Sequence, residues 1–203
     1  MPQFSQSPIA LIVVDVQKGL DDAAYWGPRN NPDCEENISR LIDAWRATSQ
    51  PIVFVRHDST DAESPLRPGS PGNAFKSCLN GDPDLLVVKS VNSAFYGEPN
   101  LQEWLARRAI TDIAICGITT NHCCETTARM AGNLGLRVFF IIDATHTFDR
   151  LALDGSTISA DDILRVTGAN LQSEFAQVIT TRQGVALLAE SSATSVDKHR
   201  RPY

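Results

Sequence analysis

Cys123 stands in the stretch of this sequence with the greatest chemical potential. Gly117-Ile-Thr-Thr-Asn-His-Cys-Cys-Glu-Thr-Thr-Ala-Arg129 follows a short apolar run, Asp112-Ile-Ala-Ile-Cys116. It leads into Ala128, Met130, Ala131 and Leu134 at helical spacing, with Gly135 as a stop. The stretch reads as a strand-to-helix turn, with Cys123 and Cys124 on the first turn of the helix and Thr120 or Asn121 as its N-cap. A thiol there faces unpaired backbone N–H groups and the positive helix end, and both favour the nucleophilic thiolate. Such a nucleophile needs a proton acceptor, a charge partner and donors for an oxyanion. Asp15, at the end of an apolar run, is the candidate acceptor, and Lys89, at the end of another, is the candidate charge partner. The backbone N–H groups of Cys123 and Thr119 are the candidate oxyanion donors.

Each of these residues also has a plainer reading. A buried cysteine is a common small apolar core residue, an aspartate after a strand is often a turn residue, and a lysine there can be a solvated strand end. Cys124 reads as packing. His57, His122 and His146 read as ordinary loop or helix residues. His122 points about 100° away from Cys123 on a helix, so it is not the expected base.

The elements that must position these groups follow from hydrophobic patterning. Pro8 to Asp15 is a continuous apolar strand, the pattern of a parallel strand covered on both faces. Further strands are expected at Pro51–Arg56, Asp84–Lys89, Asp112–Cys116, Arg137–Asp143 and, more weakly, Phe175–Thr180. Helical spacing marks Glu35–Thr48, through Ile38, Leu41, Ile42 and Trp45. It also marks Leu101, Trp104 and Leu105, then Ser159–Leu171 and a short helix over Thr181–Ala189. Residues 58–83 are rich in Pro, Gly, Ser, Asp and Asn and form a long loop of the kind that is functional or disordered. Residues 144–156 form a second loop carrying His146, Phe148 and Asp149. Strands alternating with helices predict an α/β fold, a doubly wound and mostly parallel sheet of six strands with helices on both faces. Ligands bind such sheets beyond the C-terminal strand ends, where strand order reverses. Asp15, Lys89 and the Cys123 turn all sit on that rim.

Composition bounds the rest. The 203 residues fit one domain over 1–189, with a polar tail over 190–203 in which Lys198, Arg200 and Arg201 are solvated. A net charge of −6 and a pI near 5.2 argue against a nucleic-acid partner. No apolar run reaches membrane-spanning length, and the first, Ile9–Val14, lacks the flanks of a signal peptide. Five cysteines without a CxxC pair suggest neither a zinc framework nor a disulfide scaffold, and a reducing, cytoplasmic setting fits them. The first strand is followed by no GxGxxG, so a dinucleotide is not expected.

Three blocks together resemble the isochorismatase-like cysteine hydrolase superfamily, which includes nicotinamidases, N-carbamoylsarcosine amidohydrolase and ureidoacrylate hydrolases. They are Leu-Ile-Val-Val-Asp15-Val-Gln17, then Lys89 with Asn92-Ser-Ala-Phe95, and Gly117 to Arg129. The resemblance implies a six-stranded parallel sheet and an Asp15–Lys89–Cys123 triad. It also implies a cis peptide between Ile118 and Thr119 that turns the Thr119 N–H toward the oxyanion. The implied activity is hydrolysis of an amide or carbamoyl C–N bond in a small molecule through a thioester. Alternatives are an isochorismatase-type vinyl-ether hydrolase or a non-catalytic oligomeric binding protein on the same fold. Gln17, Trp26, Phe95, Tyr96 and His146 are candidates to line the substrate pocket. The relatives are commonly dimers or larger, so a homo-oligomer is expected. Nicotinamidases bind a metal through Asp-x-His after the second strand. This sequence has Arg56-His57-Asp58-Ser59 there, so neither metal nor cofactor is expected. The nucleophile is followed by Cys124 where the family usually has valine.

Overall fold

The computed structural model describes residues 8–196. The first strand, β1 (Ile9–Val14), is buried at every position. It pairs in parallel with β2 (Ile52–His57) on one side and β4 (Asp112–Ile118) on the other. Its continuous apolar run follows from that place: Leu11 and Val13 face one core, Ala10, Ile12 and Val14 the other. Beyond β2 lies β3 (Leu85–Lys89), and beyond β4 lies β5 (Arg137–His146). A small antiparallel hairpin, β6 (Arg150–Leu151) and β7 (Thr157–Ile158), stands apart, and β8 (Gln177–Ile179) closes the main sheet beside β5. The order is β3-β2-β1-β4-β5-β8, six parallel strands, as the alternation of strands and helices predicts.

The helices divide between the two faces. The short α1 (Ala23–Trp26) follows β1 and is capped by the Asp22 carboxylate. The long α2 (Cys34–Ala47) buries Ile38, Leu41, Ile42 and Trp45 against one face, joined by Leu188 of α6 (Thr181–Val196). The Trp45 indole N–H also donates to the Ile9 carbonyl over 2.8 Å, tying α2 to the start of β1. The other face takes α3 (Leu101–Arg107), α4 (Glu125–Asn133) and α5 (Ala160–Leu171) through Leu101, Trp104, Leu105, Ala128, Ala131 and Leu171.

Several boundaries differ from the sequence reading. After a register shift between Ile115 and Gly117, pairing resumes as Gly117 with Thr145 and Ile118 with His146. The bulge lengthens β4 past Cys116 and β5 past Asp143, so His146 ends a strand instead of lying in a loop. Helix α6 continues beyond Ala189 to Val196, so the expected tail is helical over its first residues. Lys198, Arg200 and Arg201 lie outside the described residues. The cysteine pair is not on the first turn of an α-helix. Thr120–Cys124 forms a π-helical turn and α4 starts only at Glu125. Neither Thr120 nor Asn121 acts as N-cap; Thr119 holds that position, through its backbone. The Thr120 hydroxyl instead donates to Thr145 Oγ1 (2.8 Å), and the Asn121 side-chain oxygen accepts from the Thr147 hydroxyl (2.5 Å).

Strand order reverses between β1 and β4, and the chain is tightest there. Asp15 has φ 52°, a left-handed conformation that aspartate tolerates better than most residues. Gly117 has φ +129°, and a Cβ on it would stand 2.1 Å from the Val14 carbonyl oxygen. Gly117→Ala should therefore lose roughly 3 kcal/mol or more in urea unfolding, combining backbone strain with overpacking. Gly135→Ala, also at positive φ but with open space around its Cβ, should lose only about 1 kcal/mol. Equal losses would show that close approach is not what demands the glycine.

Candidate active site

The end of β1, the end of β3 and the turn after β4 converge on one ammonium group. Lys89 is the last residue of β3, two strands from β1, and neighbouring strands lie about 4.8 Å apart. The lysine stem and the Asp15 side chain together span those two spacings. Its Nζ donates to Asp15 Oδ2 at 2.6 Å and to Cys123 Sγ at 3.4 Å, and stands 3.1 Å from His57 Nδ1. The lysine and aspartate side chains are 0% and 2% exposed, so the ion pair is essentially out of water. The sulfur, one ring nitrogen of His57 and an Asp15 oxygen all lie within 4.8 Å of one another. The second carboxylate oxygen, Asp15 Oδ1, is buried and has no hydrogen-bond partner among the described residues. It is therefore free to take a proton.

Charge in this cluster does not hold the sulfur as a thiolate. Burial pushes the Cys123 thiol well above its ordinary range, and the Asp15 carboxylate pushes it further, against the opposing effect of Lys89. The helix-end effect expected from the sequence is thus outweighed by desolvation and a neighbouring negative charge. At rest the proton sits on sulfur. Burial works against the Lys89 charge, but Asp15 and Cys123 more than compensate and raise its pKa. Burial, followed by the Lys89 charge, lowers the His57 ring, so that imidazole is neutral near pH 7.

A cavity of about 100 Å³ opens over the sulfur. Leu20, Trp26, Leu66 and Ile118 form its apolar wall, while Asp15, His57, Asn92, Thr119, His122 and Cys123 supply polar groups. The peptide bond between Ile118 and Thr119 is cis. Cys124 is wholly buried beside Ala128 in the core cluster under α4, in keeping with a packing residue.

Of the residues expected to line a pocket, Trp26 does so; its indole N–H donates to the Gly19 carbonyl and its ring stacks on Phe148. The other four lie elsewhere. Gln17 is buried behind the site, where its side chain brackets the backbone of His57: Oε1 accepts from the His57 N–H (2.8 Å) and Nε2 donates to the His57 carbonyl (3.0 Å). Phe95 is packed in the core, and Tyr96 is exposed to solvent. His146 is fully buried, edge-on to Phe148 and 3.9 Å from Glu35; burial, then the Arg29 charge, lowers its pKa to about 3. Aromatic character near a motif did not separate wall from core: Trp26 reaches the cavity, Phe95 and His146 are buried away from it, and Tyr96 faces solvent.

The residues missed in the sequence are His57, His122, Asn92, Leu20 and Leu66. A signal for His57 existed: it follows an apolar strand on the same rim as Asp15 and Lys89, and pairs directly with Lys89. Leu66 had none, because the 58–83 loop is ordered by contacts distant in sequence. Asn73 Nδ2 donates to the carbonyls of His57 and Leu66 and to Asp58, and Gln17 Nε2 donates to the Asn73 carbonyl.

Asp15, His57 and Cys123 form the one cluster of potential metal ligands among the described residues. The donors do not fit a metal ion, because the Lys89 ammonium already stands within reach of all three. Asp58, in the Arg56-His57-Asp58 segment, is occupied by the Arg56 guanidinium at 2.8 Å. The fixed cation of this site is a lysine.

Known proteins share this sequence pattern and fold. A family model described as Isochorismatase domain matches residues 9–183. The Bacillus subtilis protein YrdC, described as an uncharacterized isochorismatase family protein, is 41% identical over 86% of this chain and 92% of its own. Nicotinamidase 3 of Arabidopsis thaliana is 35% identical over 69% of this chain and 74% of its own. Among solved structures, an isochorismatase-family protein from Chromobacterium violaceum superposes with a TM-score of 0.86 at 35% identity, covering 94% of this chain and 97% of that one.

The charge balance at the sulfur gives a signed expectation. Asp15→Asn removes the carboxylate that raises the thiol while Lys89 remains. The pH profile of Cys123 alkylation by iodoacetamide, which reads thiolate formation, should therefore move down by about one unit. Lys89→Met should move it up, and should cost about 3–5 kcal/mol of stability by leaving a carboxylate buried without its cation. Mass-spectrometric labelling profiles that coincide in both variants and the wild type would refute this balance.

Proposed function

The chain belongs to the isochorismatase family, and on that footing we propose that it is a cysteine-dependent hydrolase cleaving an amide or carbamoyl C–N bond in a small molecule. The observation that carries the reading is the shared ammonium: Lys89 Nζ touches both Asp15 Oδ2 and Cys123 Sγ on the floor of a cavity. A nucleophile, a base with a free oxygen and a fixed cation in mutual contact form an acyl-transfer constellation.

In this reading the Cys123 proton passes to Asp15 as sulfur attacks the carbonyl carbon and a C–S bond forms. The negative charge that develops on the carbonyl oxygen is accepted by the N–H groups of Thr119 and Cys123. Collapse of the tetrahedral species breaks the C–N bond. Asp15 returns the proton to the departing nitrogen, which leaves as ammonia or an amine, and a thioester remains on Cys123. Asp15 then deprotonates a water molecule that attacks the thioester. The C–S bond breaks, the acid departs and sulfur regains a proton. Lys89 stays charged throughout and holds the carboxylate and the sulfur together. A thiol protonated at rest suits this sequence, because proton removal is coupled to attack and the unoccupied enzyme carries no exposed thiolate.

Two further observations support the choice of bond and substrate size. A relative sharing 35% identity is named a nicotinamidase, and that name denotes amide hydrolysis. The cavity, about 100 Å³, is well below the roughly 300–1,000 Å³ of pockets that take drug-sized ligands, so it suits a small substrate. The reading also includes a cytoplasmic homo-oligomer. All five cysteines are unpaired, as a reducing setting favours, and Leu151, Leu153 and Ile158 on the β6–β7 hairpin expose apolar surface.

The test is a panel of small primary amides, carbamoyl compounds and nicotinamide scored by ammonia release, with mass spectrometry of the protein during turnover. The expected result is an acyl adduct on Cys123 and a loss of at least about three orders of magnitude in kcat for Cys123→Ala. Turnover without an adduct, undiminished in Cys123→Ala, would remove Cys123 from the role of nucleophile. Absence of turnover with any compound in the panel would favour a binding role.

A further inference from the structure

His57 is built into the site more firmly than a loop histidine has reason to be. It ends β2 between Asp15 and Lys89 on the rim of the sheet. Its backbone is held on both sides by one side chain, Gln17, with the N–H donating to Oε1 and the carbonyl accepting from Nε2. The same carbonyl accepts from Asn73 Nδ2 at 3.1 Å. This bracing fixes the point from which the imidazole leaves the strand.

The ring itself is fixed by Lys89. An ammonium has three N–H donors and can accept nothing. Those of Lys89 are directed to Asp15 Oδ2, Cys123 Sγ and His57 Nδ1. For the third contact to be a hydrogen bond, Nδ1 must carry a lone pair. A neutral imidazole with a lone pair on Nδ1 has its proton on Nε2. His57 lines the cavity, and its Nε2 has no hydrogen-bond partner among the described residues.

We propose that His57 is a fourth working residue of this site, locked by Lys89 as the Nε2–H tautomer so that it presents a neutral hydrogen-bond donor to the ligand in the cavity. The inference deepens the hydrolase reading and rests on it for the identity of that ligand. It assigns the substrate a hydrogen-bond acceptor, an oxygen or an unprotonated nitrogen, on the side of the scissile carbonyl that faces β2. The apolar lining of Leu20, Trp26, Leu66 and Ile118 accepts the apolar part. It also explains Gln17, which acts on the ligand through His57 and is a positioning residue.

The tautomer is read without any turnover. Long-range proton–nitrogen correlation spectra of the full-length protein should show the His57 proton on Nε2 near neutral pH. Lys89→Met should release the ring to the mixture of tautomers found in a free imidazole. A ring protonated on Nδ1, or a tautomer indifferent to Lys89→Met, would overturn the lock. In Cys123→Ala protein, acetamide serves as an amide probe that cannot be consumed. It should move the His57 Nε2–H resonance, and saturation without a shift would overturn the donor role. Among kinetic variants, His57→Gln places an amide N–H near the Nε2 position, whereas His57→Asn reaches only as far as Nδ1. His57→Gln should keep kcat/KM within about tenfold of wild type on the best amide of the panel. His57→Asn should fall about tenfold below His57→Gln through KM, the loss expected of one neutral hydrogen bond. Identical kinetics in both variants and the wild type would also refute the donor. If no amide is hydrolysed by the wild type, the hydrolase reading alone has failed, and the spectra still decide the role of His57.

Discussion

The buried contact between the Lys89 ammonium and the Asp15 carboxylate is the constraint on which the rest of the site depends. Both groups have left water, and isolated charges there would be strongly unfavourable. They are tolerated because each supplies the other's countercharge at 2.6 Å, and because the remaining ammonium protons face His57 and Cys123. Placing one cation at the centre of three groups does several things together. It sets a countercharge against the buried carboxylate, and it disfavours a charged histidine. It also partly offsets the effect of Asp15 on the thiol. The second carboxylate oxygen, Asp15 Oδ1, is left without a hydrogen-bond partner among the described residues.

The sheet explains why these groups can meet. Chain order reverses at β1 and β4, leaving a crevice above their C-terminal ends that no crossover helix fills. Asp15 leaves β1 in a left-handed turn, and Gly117 passes so close to Val14 that no side chain fits. The turn after β4 then winds as a π-helical segment before α4 begins. Thr120 and Asn121 in that turn bind Thr145 of β5 and Thr147 just beyond it instead of capping the helix, so the cysteine-bearing segment is tied to that strand.

The long segment after β2 contributes Leu66 to the cavity wall and is ordered by polar contacts as well as by packing of Leu66, Phe75, Cys78 and Leu79 in the core. Asn73 and Gln17 connect it to the strand ends, and the approach of Gly72 to within 2.8 Å of Gly19 Cα, measured from a built Cβ, leaves no room for a larger residue. Farther out, Lys76 bridges Asp21 and Glu35 at 2.6 Å each, while Arg29 binds the same Glu35. Two cations beside it hold the Glu35 carboxyl down at about 2 despite its burial. Leu66 is carried into the cavity by this framework, so the shape of the apolar wall depends on side chains scattered from Gln17 to Lys76.

Sequence alone determined the strand ends and the residues on them. Apolar runs ending in Asp15, Lys89 and the Cys123 turn are local patterns, and a parallel sheet places all strand C-termini on one rim. That is enough to place those three on the same rim. The tertiary structure decided everything that depends on neighbours distant in the chain. It turned Gln17 from a pocket residue into a brace for His57, and buried Phe95 and His146 away from the cavity. It also inverted the expected charge state of Cys123, because the helix-end effect is a property of a segment whereas desolvation and the Asp15 charge are properties of a place. His57 shows the same division. Its position at a strand end is written in the sequence, but the tautomer it adopts depends on a proton donated from another strand.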